Sequence, residues 1–382
     1  MKYRLPVLPV LESRRSASAD RGPEQFSTVE DLPERLYVDS GSSAIALALT
    51  HAGVESGDDV LLPAFHCPTM ADPIREIGAN AVFYAVNENL SANMDSVHSL
   101  LSSRTRALLV AHFFAIGQDL SAVRTLCDKH GIRLIEDCAH TYFGAPGEQT
   151  IGSVGDFAIF STRKFFAGAD GGILASARHA LGFDGIARTG LVSEIRNTLD
   201  VVEEALNFGR TGWWAWPARG GLTVRDVMKR IVATPTTGGG ADTAATSDSG
   251  PVSRGDMRTM SRISRFALRK SDLFATIEAR RRNYQILEDF FADSGRLRPF
   301  STQIPYAPYM YPLIVHNPEL YLALRRDGWP IWRWDDSDPD CEVSRHYSQH
   351  LLQLACHQSL AAEDVAALGQ AVLDLDSALS ET

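Results

Sequence analysis

Lys164 follows an apolar run, FAIFS at 157–161, with hydroxyls at Ser161 and Thr162 before it and the stretch FFAGADGG after it. A lysine leaving a strand in this way can reach the aldehyde of a cofactor, provided a desolvated or cation-rich pocket lets its amine lose a proton. Gly168, Gly171 and Gly172 permit the sharp backbone excursion that such a placement needs. Taken alone, the pattern also describes a surface lysine beside a glycine turn. A second segment, IEDCAH at 135–140, puts acidic residues at the end of another apolar run. A carboxylate there, Asp137, can pair with a protonated heterocyclic nitrogen, or it can simply cap a helix. A third segment, DSGSSA at 39–44, opens the apolar-periodic stretch IALALTHAG. A Ser/Gly turn at a helix start offers N–H groups and hydroxyls at the positive end of the helix dipole, which suits a phosphate; the same residues make an ordinary N-cap. Each signal is modest by itself, and the order and spacing of the three carry the case for chemistry.

These residues need a scaffold that brings strand ends together. Between residues 37 and 176, short apolar runs alternate with helical patterns. Strands are predicted at 59–63, 81–86, 107–112, 133–136, 157–161 and 172–175, with a helix at 70–77 and a helical pattern running to 126. Such alternation means a mostly parallel sheet covered on both faces, with ligands bound beyond the carboxyl ends of its strands. A different composition follows. Residues 188–260 read as an insertion with a helical stretch at 192–206, an aromatic cluster of Trp213, Trp214 and Trp216, and a polar Gly/Thr/Ser-rich run at 234–255 expected to be a mobile loop. From 261 onward a long helical pattern precedes a smaller alternation of strands and helices. The expected division is a large cofactor-binding domain at 1–260 and a smaller C-terminal α+β domain at 261–382.

Composition narrows the classes of function. A net charge of -10 argues against a broad footprint for nucleic acid or anionic lipid. The five cysteines, Cys67, Cys127, Cys138, Cys341 and Cys356, are scattered and show no CxxC spacing, so neither a disulfide scaffold nor a metal site is expected. No apolar stretch reaches the length of a membrane span, and residues 1–15 lack the apolar run of a signal peptide. A cytoplasmic protein is expected.

In the order of its segments the sequence resembles the DegT/DnrJ/EryC1/StrS family of pyridoxal-phosphate sugar aminotransferases. SGSSAIALAL, SGDDVLLPAFHCPTMADPI, IGANAVFYAVNENLSANMD, SRTRALLVAHFFAIGQDL, IEDCAHTYFGA, IGSVGDFAIFS and KFFAGADGG follow one another as in that family, over about 37–175. The resemblance returns more weakly in EARRRNYQIL, YPLIVHNPELYLALRRDGWPIWRW and LACHQSLAAEDV. It implies the fold-type-I architecture of pyridoxal-phosphate transferases and pyridoxal 5'-phosphate as cofactor. It implies that Lys164 is the Schiff-base lysine and proton carrier, that Asp137 keeps the pyridine nitrogen protonated, and that His140 lies near the phenolic oxygen. Ser42, the backbone at Ser43, and Ser161 would hold the phosphate. The residue stacking on the ring would be Phe65, His66 or Cys67. The Ser161-to-Lys164 spacing is two residues shorter than usual, which resembles a variant branch, and the Asn-x-Arg segment of a neighbouring subunit is not evident after Gly172.

The implied activity is a ping-pong aminotransfer from an amino-acid donor to a keto acceptor, such as a nucleotide-linked keto-sugar, by a homodimer. Another pyridoxal-phosphate reaction on an amino acid (an aldol or elimination step), or a non-catalytic binding protein on the same fold, are the alternatives. His112 reads either as a site residue or as a hydrogen-bonded structural histidine. Arg280, Arg281 and Arg282 read as a solvated or ion-paired helix face, and Arg333 as a candidate for a substrate carboxylate.

Overall fold

The computed structural model describes residues 5–12, 26–183, 185–208, 257–301, 303–334, 338 and 340–380. The Trp213/Trp214/Trp216 cluster and the 234–255 run lie outside the described residues. Along the chain, β1 (Ser27–Thr28) and β2 (Glu34–Val38) lead into α1 (Gly41–His51). There follow β3 (Asp59–Pro63), α2 (Pro68–Glu76), β4 (Asn80–Tyr84), α3 (Met94–Leu100), β5 (Thr105–Ala111), α4 (Ser121–His130) and β6 (Arg133–Asp137). β7 (Phe143–Gly144), which pairs with β1, and the antiparallel pair β8 (Phe157–Ser161) and β9 (Gly172–Ser176) complete this half.

Seven of these strands form one sheet in the order β2-β9-β8-β6-β5-β3-β4. The pairs β4/β3, β3/β5, β5/β6 and β6/β8 are parallel, while β9 runs antiparallel to both β8 and β2. Every residue of β3, β8 and β9 is buried. A strand covered on both faces must be apolar throughout, which is why DVLLP, FAIFS and GILAS read as continuous runs. The chain steps from β3 to the β4 edge and then returns to β5 on the other side of β3. The direction of winding reverses there, and a crevice opens at the carboxyl ends of β3 and β5.

An ionic hub anchors the opposite end of the sheet. Asp156 accepts hydrogen bonds from Arg124 (2.8 Å), Arg133 (3.1 Å), His179 (2.9 Å) and the Leu134 N–H (2.8 Å). Burial opposes its charge, but these donors hold its carboxyl well below the usual range.

After α5 (Leu191–Asn207) come α6 (Arg262–Lys270) and α7 (Leu273–Phe291), the latter capped by Asp272, whose carboxylate accepts the Ala275 N–H at 3.0 Å. A second, antiparallel sheet follows, in the order β10 (Arg298–Pro299), β11 (Met310–Ile314), β13 (Leu351–Ala355) and β12 (Ile331–Trp332). Helices α8 (Glu319–Asp327), α9 (Glu342–His350) and α10 (Ala362–Ser380) accompany it. One apolar cluster joins the two halves, packing Tyr142, Phe160, Phe165 and Phe166 with Leu287, Tyr311, Leu313 and Leu354.

Arg280 departs from its expected place on a solvated helix face. It is fully buried, whereas Arg281 and Arg282 are exposed. Its guanidinium donates to the carbonyls of Lys164 (2.8 Å), Pro308 (2.9 Å) and Tyr309 (3.1 Å) and to Gln358 (2.9 Å). The cation also lies over the Phe165 ring. Successive helix residues are turned by about 100°, so a run of three arginines cannot share one face. Desolvation lowers the pKa of Arg280 to about 10, which leaves it charged at neutral pH.

Candidate active site

A cavity of about 430 Å3, including its mouth, opens in the crevice at the carboxyl ends of the parallel strands. Lys164, Asp137, His140, Ser42 and Cys67 all line it, joined by His112, Phe113 and Trp334. Asp137 is the last residue of β6, and its carboxylate accepts the Ala139 N–H at 2.8 Å. Lys164 lies on the turn from β8 to the antiparallel β9, a turn that also presents the lysine's carbonyl to Arg280. Two glycines make that turn workable. Gly171 has φ +146°, and a Cβ on it would come within 2.0 Å of the Thr162 hydroxyl oxygen. A Cβ on Gly172 would lie 2.1 Å from the Ser40 carbonyl oxygen, so only glycine lets β9 start against the first turn of α1.

That first turn forms one wall. Ser40 caps α1, its hydroxyl accepting the Ser43 N–H at 3.1 Å. Ser43 is thereby committed: its own hydroxyl donates to the Asp39 carboxylate at 2.6 Å. It therefore lies behind the cavity wall, and Gly41 and Ser42 present the helix start to the cavity. The first-turn N–H groups of a helix have no intrahelical acceptor, so these two positions are the natural anion donors. Ser42 donates its hydroxyl to the Thr69 carbonyl at 3.3 Å, and Cys67 and Thr69 share a side-chain hydrogen bond at 3.0 Å. Burial raises the pKa of Asp39, and the neighbouring Asp170 adds to this against the hydrogen bond from Ser43.

Of the three candidates for the ring-facing position after β3, Cys67 alone lines the cavity. Phe65 packs on Trp334 and Phe113, with ring centroids 5.1 and 5.6 Å away. His66 points elsewhere, stacked on Phe83 at 4.6 Å with its Nδ1 bound to the Ala64 carbonyl. Ser161 is a buried member of β8 paired with Gly172 and is not part of the lining.

His140 is enclosed by rings. It stacks on Tyr309 at 4.5 Å and approaches Trp334 at 5.2 Å and Phe114 at 5.6 Å. Burial drives its pKa well below the usual value, and the positive charge of Lys164 adds to the effect. Its Nδ1 accepts the Phe114 N–H at 3.3 Å, which assigns the proton of the neutral ring to Nε2. Phe114 (φ 57°) and Ala115 (φ 61°) are both left-handed, a costly conformation for residues with a Cβ. This turn aims the Phe114 N–H at His140 and leaves Phe113 on the cavity wall.

His112 resolves into both readings at once. It is 4% exposed, bound through Nε2 to Glu136 at 2.9 Å, and still lines the cavity with a buried Nδ1 that has no hydrogen-bond partner. His112, Glu136 and Cys138 bring three potential ligand atoms within 4.8 Å of one another. Glu136 spends its oxygens on His112 and the Gly155 N–H, and burial pushes the Cys138 thiol well above its ordinary pKa.

The C-terminal half supplies residues that no motif announced. Tyr309 carries the His140 stack and places its ring 5.4 Å from Lys164 Nζ. Trp334 closes the cavity, while its neighbour Arg333 turns away. The Arg333 guanidinium lies over Tyr321 and donates to the carbonyls of Pro318 and Gln349, so it is not a carboxylate receptor in this cavity.

The donor set suits pyridoxal phosphate: a helix start for a phosphate, a carboxylate for a ring nitrogen and a lysine for an aldehyde around one cavity, with an orphaned imidazole nitrogen in its wall. Residues 25–182 match the DegT/DnrJ/EryC1/StrS aminotransferase family. GDP-perosamine synthase of Vibrio cholerae is 30% identical over 167 residues, 43% of this chain and 46% of that protein. The L-glutamine:2-deoxy-scyllo-inosose aminotransferase of Streptoalloteichus tenebrarius is 34% identical over 138 residues, 35% of this chain and 32% of that one. The chain thus spans less than half the length of these relatives. Among solved structures, Spr1654 of Streptococcus pneumoniae in its PLP form superposes with a TM-score of 0.66 at 15% identity, covering 98% of this chain and 99% of that one. DesV of S. venezuelae gives a TM-score of 0.62 at 16% identity, covering 92% and 91%. These likenesses concern the fold, which extends over the C-terminal half that the sequence matches leave out. The segment 25–182 that matches this family holds Ser42, Asp137, His140 and Lys164.

Proposed function

We propose that this protein is a pyridoxal-phosphate-dependent aminotransferase that moves an amino group from an amino-acid donor to a keto-sugar-like acceptor. The observation that carries the reading is the convergence of Lys164, Asp137 and the α1 start on one cavity. When bound, pyridoxal phosphate supplies the electron sink that makes the donor's α-carbon acidic. Lys164 Nζ would take the proton from that carbon and hold it for return. Asp137 would keep a proton on the pyridine nitrogen, and Gly41 and Ser42 would hold the phosphate. Neutral His140 offers Nε2–H as a donor, held in register by Phe114 and Tyr309. Phe113 and Trp334 keep water from the reacting carbon.

A homodimer is part of the proposal. Leu191, Val192 and Ile195 expose an apolar row on the first turns of α5, with Leu191 76% exposed, and a second copy is the natural cover for it. The cytoplasmic location in this proposal rests on five scattered cysteines with no CxxC spacing.

The test is the visible spectrum of protein incubated with pyridoxal phosphate, before and after glutamate, for wild type and Lys164→Ala. A lysine-linked band that shifts with glutamate in the wild type alone supports the reading. A band that no amino acid shifts, or no band, overturns it.

A further inference from the structure

A second cavity adjoins the first. It is larger, about 1210 Å3 including its open mouth, and Phe113 lines both. We propose that this cavity receives the amino acceptor, and that the acceptor is a free polyhydroxylated ketone, a sugar or cyclitol ring without a nucleoside diphosphate. The proposal rests on the aminotransferase reading and names the substrate class of that site.

Position is the first argument. Asn89 and Ser91 come from the loop after β4, and Gln118 and Asp119 from the loop after β5, so the strands on either side of β3 both deliver residues from their carboxyl ends. Ser301 and Gln303 come from the segment after β10, so the second sheet contributes too. A ligand held here is one aromatic ring away from the cavity that contains Lys164.

Chemistry is the second. The lining sets amides and hydroxyls among the apolar Leu90, Phe113, Ile116 and Phe300, and the amides of Gln118 and Asn89 are already oriented. Gln118 donates its Nε2 to the Ala111 carbonyl at 2.7 Å, which leaves Oε1 as an acceptor. Asn89 Oδ1 accepts both the N–H and the hydroxyl of Ser91, at 3.1 and 2.7 Å, which leaves Nδ2 as a donor. A sugar or cyclitol ring presents alternating hydroxyls that both give and take hydrogen bonds, and pre-oriented amides are matched to that pattern. Among the described lining residues the one formal charge is the Asp119 carboxylate, held by the N–H and hydroxyl of Ser121 at 2.8 and 2.6 Å. A carboxylate repels a diphosphate and accepts from hydroxyls or an amine. Among the relatives, the cyclitol enzymes named for 2-deoxy-scyllo-inosose act on a ring of this kind, and the GDP-perosamine enzyme is named for a nucleotide-linked one.

The test titrates the cofactor-loaded full chain by calorimetry with two probes: scyllo-inosose, a pentahydroxycyclohexanone, and UDP-N-acetylglucosamine. The aldehyde form of the cofactor cannot aminate a ketone, so binding is read without turnover. Gly117 lies in the cavity lining with nothing within 4 Å of an added Cβ and without a positive φ, so Gly117→Trp fills the space at little cost to the fold. The expected result is that scyllo-inosose binds at least tenfold more tightly than the nucleotide sugar. Gly117→Trp should weaken it by at least tenfold, and Gln303→Ala by about fivefold, the loss of one hydrogen bond. Tighter binding of the nucleotide sugar, no binding of scyllo-inosose, or unchanged affinity in Gly117→Trp would each overturn the proposal. Loss of the aminotransferase reading shows separately, as a lysine-linked absorption band that no amino acid shifts, while the cavity's affinity for the ring remains measurable in the same titration.

Discussion

The parallel sheet and the C-terminal half meet at one cavity but contribute in different currencies. The first places functional groups at strand ends: Asp137 closes β6, Lys164 follows β8, and Gly41 and Ser42 open α1. The second places rings and braces: Tyr309 under His140, Trp334 across the mouth, and Arg280 behind the lysine turn. The difference teaches that reactive groups in such a protein are specified by topology, whereas their shape and dryness come from packing by the other half.

The sharpest way to test that division is to remove chemistry without touching the packing. Lys164→Ala is expected to lower turnover by 10²-fold to 10⁴-fold or more, roughly what positioned proton transfer contributes. Its denaturation midpoint should stay close to wild type, because the packing around the turn is made by Phe165, Phe166 and the Lys164 carbonyl. Stopped-flow half-reactions and a urea titration measure the two effects, and a large stability loss would break the comparison.

The converse experiment strikes the brace. Arg280→Leu leaves the carbonyls of Lys164, Pro308 and Tyr309 without their donor in a dry interior. A loss of about 3–5 kcal/mol is expected, as for other uncompensated buried polar groups. Because one end of the brace holds the lysine turn, cofactor retention should fall with stability, which co-purified absorbance per subunit would reveal.

The ionic hub of the parallel sheet gives a pH signature of its own. The folded-state pKa of Asp156 is depressed, so its stabilisation is full above the ordinary carboxylate value of about 4 and is lost progressively as pH falls from there through the folded-state value. Asp156→Asn should cost about 2–4 kcal/mol at pH 7 and flatten the acid limb of the stability curve. Urea midpoints at pH 7, 5 and 3 for both proteins check this; parallel curves would remove Asp156 from the account.

The smallest effect sharpens the role of the rings. With its pKa driven well down by burial and by Lys164, His140 should show no imidazole titration between pH 5 and 8 by NMR. Tyr309→Leu, which opens the stack, should bring the titration back towards neutrality, whereas Tyr309→Phe should not. A titrating wild-type His140 would contradict the enclosed geometry.

Much of the first half could be read from sequence for a physical reason. A parallel strand buried on both faces is a continuous apolar run, and the polar residue that ends it marks the edge where ligands bind. Hence Asp137 and Lys164 stand out. The phase of an extended loop is not written so clearly. Neighbouring residues alternate in direction, and nothing in AFHCP says that Cys67 faces inward while His66 turns to Phe83. The Ser43 N–H, expected at a phosphate, is taken by the Ser40 hydroxyl, and its own hydroxyl by Asp39, a local choice of partner that residue type does not reveal. Tyr309 and Trp334 left no signal because a ring on a cavity wall has the same composition as a ring in a core. Arg280 was hidden among three arginines, of which helix geometry buries one.

The Arg280 brace also changes how motion in this molecule would be noticed. One guanidinium grips carbonyl oxygens on the lysine turn and on the strand approach at Pro308 and Tyr309. The two halves are thus riveted directly behind the residue that would carry a coloured group. Slackening of the C-terminal half pulls on that rivet before it disturbs the hydrogen-bonded ladder of the first sheet. A chromophore on Lys164 would therefore act as a strain gauge, its hue drifting while the bulk of the backbone signal still reads as folded.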